Sequence, residues 1–378
     1  MIRRQLHDVI VSRLKQYPVV ALLGPRQAGK TTLAKTLSKK YYDLEIEPEK
    51  LRIDLKWDEI IRSDDLVVLD EAQNYPGVFP RIRSAVDARR KKNGRFLILG
   101  SVSPGLMKQV SESLAGRIAL CELSPFSLQE ARKKEDDYWL MGGFPDGGIM
   151  KKSQFPIWQK NYLDLLAMRD LPLWGLPATP QVTQRLFRML AVGNGTVWNA
   201  SMVGKSMGLS YHTVNSYLNY LEQAYLIRRL QPYFKNIKKR LVKSPKVFWR
   251  DTGLLHALMG VNGMEELMVQ PWVGLSWEGW VIEQIRIFLT VNDIGHETYY
   301  FRTVDGYELD LVLGMKNTLW AFEIKLTSNP GKGDLDRLSK TADMIRADKR
   351  VLLSRTKEPI VGTDTISTNI KGALHLLS

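Results

Sequence analysis

Thiol is almost missing from this chain. Cys121 is its single cysteine, so no disulfide can close within it and no cysteine-rich zinc site can be built. Histidine is nearly as sparse, five residues in 378, and their scattered spacing matches no metal-ligand pattern. No apolar run approaches the ~20 residues of a membrane span. The first apolar stretch is broken by Arg3, Arg4, His7, Asp8 and Arg13, unlike a secretory leader. A cytoplasmic chain with no membrane insertion is the expectation. Acid is the last shortage: 54 Lys and Arg face 40 Asp and Glu, a formal charge of +14. That excess suits a polyanionic partner, nucleic acid first and an anionic membrane surface second, with a merely solubilising surface as the alternative. Hydrophobic residues at 44% and charged residues at 25% are ordinary for a globular protein, and 378 residues suffice for two or three domains.

What is present is concentrated in one stretch. Gly24-Pro25-Arg26-Gln27-Ala28-Gly29-Lys30-Thr31 fits G-x-x-x-x-G-K-[ST], between a strand-like run, Val19 to Leu23, and a helix-like one, Thr32 to Leu37. Backbone N–H groups of such a loop, with the helix N-terminus, cradle phosphates. Lys30 is placed to reach the β- and γ-phosphates, and the Thr31 hydroxyl to ligate Mg²⁺. A second buried-strand run, Leu66 to Leu69, ends in Asp70-Glu71. Asp70 is the candidate to hold the hydrated metal, and Glu71 to orient and polarise the attacking water. ATP and Mg²⁺ are the expected cofactors. A third run, Phe96 to Leu99, leads into Gly100-Ser101-Val102-Ser103, where Ser101 or Ser103 either senses the γ-phosphate or caps a helix. Arg117 either supplies transition-state charge, in cis or to a neighbouring subunit, or is a solvated surface arginine.

These residues carry a resemblance. Gly24 to Leu33, Leu69-Asp-Glu-Ala-Gln73 and Ser111 to Arg117, followed by Gly142-Gly-Phe-Pro145, Tyr217 to Glu222, Asp251-Thr-Gly-Leu254, Phe301-Arg302 and Glu323-Ile-Lys325, resemble a particular group. It is the AAA-type P-loop ATPases of bacteria and archaea with a C-terminal domain of unknown function. The resemblance implies an α/β P-loop domain that binds and hydrolyses ATP in the cytoplasm, and it extends over nearly the whole chain. Gly24 to Thr32 would form its nucleotide loop. A homo-oligomer stays open.

Further along, Gly142 to Gly148 reads as a turn-rich hinge. Leu186 to Val192, Ser201 to Met207 and Tyr211 to Ala224 read as helices. A glycine turn joins the last two, as in a helix-turn-helix whose second helix presents Tyr211, His212, Asn215, Ser216 and Asn219. Two strands around a basic turn follow, which completes a winged helix. Nine cations from Arg228 to Arg250 are uninterrupted by acid. Lys235, Lys238, Lys239, Arg240 and Lys243, with His212 and Asn215, are the expected contacts to duplex DNA; a structural winged helix is the alternative.

Residues 277 to 354 read as helix, three strands, helix, strand. Glu278, with Glu283 as fallback, then Asp310, then Glu323 and Lys325 on one face of a strand resemble the PD-(D/E)XK nuclease signature. Glu278, Asp310 and Glu323 would hold Mg²⁺, and Lys325 would polarise water or the scissile phosphate. An internal salt-bridge network is the alternative. The expected organisation is an ATPase domain at 1–135, a helical linker with the glycine hinge at 136–182, a winged helix at 183–260 and an α/β restriction-endonuclease-like domain at 261–378. DNA engagement is the favoured output; a nucleotide-gated switch binding a protein partner is the rival.

Overall fold

The computed structural model describes residues 2–100, 113–234 and 240–378. Ser101, Ser103, Lys235, Lys238 and Lys239 therefore lie outside the described residues. Among those described, no helix is long and apolar enough to cross a membrane.

The first domain is a five-stranded parallel sheet formed by β1 (Val19–Leu23), β2 (Lys40–Asp43), β3 (Val67–Asp70), β4 (Phe96–Leu99) and β5 (Ile118–Glu122). Their spatial order is β2-β3-β4-β1-β5. All five residues of β1 are buried, as a strand covered on both faces requires. Its side chains alternate. Val19, Ala21 and Leu23 pack with Ile82 and Val86 of the helix Val78–Ala88. Val20 and Leu22 pack with Leu6 and Ile10 of the helix Leu6–Gln16 and with Leu33 and Ala34 of the helix Lys30–Leu37. Each such buried Val or Leu contributes about 1.5–3 kcal/mol.

The second sheet has eight strands: β6 (Ile227–Pro232), β7 (Lys246–Trp249), β8 (His296–Arg302), β9 (Glu308–Met315), β10 (Thr318–Ile324), β11 (Lys349–Leu353), β12 (Ile360–Val361) and β13 (Thr365–Thr368). They lie in the order β12-β13-β11-β10-β9-β8-β6-β7. Strands β8, β9 and β10 form an antiparallel meander, and β11 returns parallel to β10 after the helix Lys332–Ile345. The helix Val273–Val291 buries Trp277, Val281, Ile285 and Leu289 in the core on one face, and Lys332–Ile345 covers the other with Leu338, Ala342 and Ile345.

Between these lie the helices Pro180–Val192, Ala200–Met207 and Tyr211–Gln223. Gly208 turns the chain between the last two in the left-handed region, and Ser210 caps the third by accepting from Thr213 N. The antiparallel pair β6–β7 follows, but it also extends the second sheet, since Gln231 and Pro232 pair with Tyr299 and Tyr300 of β8.

The segment 136–182 does not behave as a linker. Trp139, Leu140, Met141, Ile149 and Phe155 belong to the C-terminal core, while Tyr162, Leu163, Leu166 and Leu171 belong to the core of the middle helices. Nor are its glycines a free hinge. A Cβ on Gly142 would stand 2.2 Å from Asp251 Oδ1, and one on Gly253 would stand 2.0 Å from Met141 O. Two backbones meet there at glycine distance, fastened by Asp251, which accepts from Gly143 N at 2.7 Å and Leu254 N at 3.0 Å.

The same junction contains a buried histidine. His256 Nδ1 lies 2.8 Å from Leu140 O and Nε2 lies 2.7 Å from Ser276 Oγ, so one nitrogen donates and the other accepts. Burial lowers its pKa from 6.5 to about 4. The unfolded chain then takes up a proton that the native chain refuses. His256's contribution is whole above about pH 6.5 and is lost as pH falls towards 4, about 3 kcal/mol in total. Urea midpoints measured across that window should fall with acid, and the fall should be shallower in His256→Gln.

Candidate nucleotide site and C-terminal carboxylate cluster

The phosphate loop leaves the end of β1 where the sequence predicts it. Gly24 has φ 149°, and a Cβ there would stand 2.2 Å from Leu123 O, so the first loop position admits only glycine. Gln27 and Gly29 are also left-handed, which wraps Arg26 to Gly29 around a cavity of about 880 Å³. Lys30, Thr31, Thr32 and Glu71 line it. Lys30 is buried, and its Nζ donates to Gly24 O at 2.9 Å and Pro25 O at 2.8 Å. Burial lowers its pKa to about 8, against the opposing pull of Glu71 and Asp70. A phosphate supplies the counter-charge that this lysine lacks.

Asp70 sits at the end of β3. Its Oδ2 accepts from Thr31 Oγ1 at 2.6 Å and from Tyr41 OH at 2.7 Å, and its Oδ1 accepts from Glu71 N at 2.9 Å. A hydroxyl and a carboxylate in contact beside a phosphate loop are a donor set that fits Mg²⁺. Glu71 has φ 48°, an unusual left-handed backbone for a glutamate, and that turn aims it at the cavity. Burial pushes its carboxyl above the ordinary range, partly opposed by Lys30, and Gln73 Nε2 hydrogen-bonds it.

Four supporting residues carry no motif. Tyr41 reaches Asp70 because β2 lies beside β3. Arg4 is buried beneath the loop, donating to Ala28 O at 2.7 Å and Ser124 O at 2.6 Å and pairing with Glu130 at 3.1 Å. Asp170, from the middle region, pairs with the loop's own Arg26, and Tyr162 OH donates to Arg26 O at 3.2 Å.

Arg117 requires correction as a cofactor contact. β5 runs parallel to β1 with Ile118 opposite Val19, so Arg117 lies at the end of the sheet where strands begin, and the phosphate loop lies where they finish. A five-residue strand separates them, roughly 16 Å. There Arg117 pairs with Asp87 at 2.8 and 3.0 Å, out of reach of this chain's own nucleotide.

In the C-terminal sheet Asp310 (β9), Glu323 (β10) and Glu278 (helix Val273–Val291) are buried in one cluster. Lys325 Nζ lies 2.6 Å from Glu323 Oε1, and Asp310 Oδ2 accepts from Ile324 N at 2.8 Å. Burial raises the carboxyl pKa values of Glu278, Asp310 and Glu323. Glu308 joins them, and so does Lys246, a cation from β7. Sequence reading left Lys246 in the basic stretch and did not single out Glu308. Glu283, the fallback acid, belongs elsewhere: it pairs with Arg228 at 2.7 Å and Arg250 at 2.7 Å.

Of the six described cations in the acid-free basic stretch, four are paired with acids of this chain. Arg228 and Arg250 are held by Glu283, Arg229 by Glu222, and Lys246 by Glu278 and Glu308. Arg240 and Lys243 are exposed. Tyr211, His212, Ser216 and Asn219 are exposed on their helix, whereas Asn215 is half-buried and accepts from Trp198 Nε1 at 2.8 Å.

The parallel sheet, the glycine loop after its β1 strand and the Asp-Glu pair closing β3 define an ATP-binding P-loop domain of the AAA type, and residues 16–132 match the family described as AAA domain. Residues 132–265 and 273–371 match two domains of unknown function, DUF8612 and DUF4143. The chain is 37% identical over 335 residues to the uncharacterized proteins Rv2008c of Mycobacterium tuberculosis and Mb2031c of Mycobacterium bovis, covering 87% of this chain and 73% of each relative. It belongs to their family. Among solved structures, it is similar to the Walker-type ATPase PABY2304 of Pyrococcus abyssi, at 16% identity and a TM-score of 0.48, covering 68% of this chain and 96% of that one.

Proposed function

We propose that this chain is a Mg²⁺-dependent ATP-hydrolysing switch whose nucleotide site is wired to the modules that follow it. The observation that carries the reading is the ion pair between Arg26, inside the phosphate loop, and Asp170, in the middle region. Loop N–H groups and Lys30 hold the phosphates, Thr31 and Asp70 hold the metal, and Glu71 orients the attacking water and takes its proton. A glutamate raised by burial is the better base for that step. Arg26 is shared between phosphate and Asp170, so occupancy of the loop changes what holds the middle helices. Asp170→Asn should tighten ATP binding several-fold by releasing the guanidinium to the phosphates, and Arg26→Ala should weaken it. Titration with a fluorescent ATP analogue measures both; equal affinities would remove the link.

A second reading, duplex DNA engaged by the middle module as a winged helix, is favoured by the exposed face of the helix Tyr211–Gln223 and by exposed Arg240 and Lys243. With four of the stretch's cations paired internally, binding should be weaker than the net charge suggests. Arg240→Glu combined with Lys243→Glu should lower DNA affinity and flatten its salt dependence. Unchanged binding counts against this surface, and a protein partner then becomes the target of the switch. The helix, antiparallel meander, helix and parallel strand at the C-terminus support a nuclease-like fold for the last module.

A further inference from the structure

Lys246 stands on β7, the end strand of the second sheet, and its charge is delivered to acids on β9 and on the helix Val273–Val291. Its Nζ lies 2.8 Å from Glu278 Oε1, 2.7 Å from Glu308 Oε1 and 4.0 Å from Asp310 Oδ1. The side chain is 3% exposed, and the Tyr300 ring stands 5.7 Å from the ammonium. An ammonium buried this deeply persists only where carboxylates surround it.

Each carboxylate that a nuclease-like site would offer to a divalent ion already has one oxygen engaged. Glu278 and Glu308 face Lys246, Glu323 faces Lys325, and one oxygen of Asp310 accepts from Ile324 N. Mg²⁺ demands several oxygens converging at about 2.0–2.1 Å. Among the described residues no three His, Cys, Asp or Glu side chains converge in that way. A divalent ion beside Asp310 would also meet the Lys246 charge directly, in a site with little water to screen it.

We propose that Lys246 is the resident cation of this cluster, filling the place that a divalent metal takes in a metal-dependent nuclease, so that the last module keeps the arrangement without metal-dependent cleavage. The lysine also ties β7, the end strand of the second sheet, to β9 and to the helix Val273–Val291. The residues do not fit the metal that the signature implies.

The probe is Mn²⁺, counted by electron paramagnetic resonance on the full-length protein without nucleotide, so ATP turnover plays no part. Wild type and Asp310→Asn should bind Mn²⁺ indistinguishably. Lys246→Gln should gain one site per chain, at least about tenfold tighter than any in wild type, and Asp310→Asn in that background should abolish it. A stoichiometric wild-type site that Asp310→Asn removes would overturn the proposal. So would a folded Lys246→Gln that gains none. If Lys246→Gln does not fold, the comparison of wild type with Asp310→Asn still decides. Plasmid cleavage by wild type that depends on Mn²⁺ and is lost in Asp310→Asn would equally overturn it.

Discussion

Glu71→Gln is expected to bind ATP within about threefold of wild type and to hydrolyse it at least about a hundredfold more slowly. The substitution keeps the size of the side chain and a hydrogen-bonding end, so the cavity and the Lys30 environment stay as they are. What it removes is the carboxylate of the pair that faces the cavity, whereas Asp70 already accepts from Thr31, Tyr41 and Glu71 N. Because burial raises the Glu71 carboxyl, the acid limb of the wild-type rate profile should lie above the ordinary glutamate range. Equilibrium nucleotide titration together with single-turnover hydrolysis separates binding from chemistry. A variant that keeps full turnover would take the general-base role away from Glu71.

The second large effect is on stability. Arg250→Ala should cost about 3–5 kcal/mol, because breaking a buried ion pair leaves its partner charged and unsolvated. Arg250 and Glu283 are both under a tenth exposed, and their side chains meet at 2.7 and 2.8 Å. Arg250 also reaches Glu122 at the end of β5, so the same guanidinium joins the ATPase domain to the helix Val273–Val291. Arg228 remains in the variant and holds Glu283 at 2.7 Å, which keeps the loss from being larger. Urea unfolding measures the difference. A change below about 1 kcal/mol would mean that water screens the network as it does a surface pair. It would also reopen Glu283 as a functional acid.

The nucleotide site was legible because its chemistry is local. A strand, a glycine loop and a helix N-terminus are consecutive in the chain, and Asp70-Glu71 ends a run whose burial its composition announces. The C-terminal order of elements was legible for the same reason, and the helix Val273–Val291 turns Glu278 towards Lys246 and Asp310 and Glu283 towards Arg228 and Arg250. The pairing of four cations in the basic stretch could not be read from the sequence because most of their counter-charges are remote. Lys246 and Glu278 are 32 positions apart, and Arg250 and Glu283 are 33. Absence of acid nearby in sequence says nothing about acid nearby in space. Glycines at 142–148 read alike whether they serve a hinge or a close approach; what packs against them, Asp251 at Gly142, Phe126 O at Gly143 and Gln159 at Gly147, distinguishes the two. Arg117 needed the direction of β5, which places it at the wrong end of the sheet for its own phosphate loop.

The loop from Gly24 to Thr31 is expected to bind ATP and turn it over with Mg²⁺. Phosphate release from ATP by wild type and Lys30→Ala, each with Mg²⁺ and with EDTA, tests it most directly. Metal-dependent turnover in wild type is expected, with at least tenfold weaker ATP binding and no release above blank in Lys30→Ala. Equal release by the two proteins, or none from a wild type that binds no nucleotide, would contradict it.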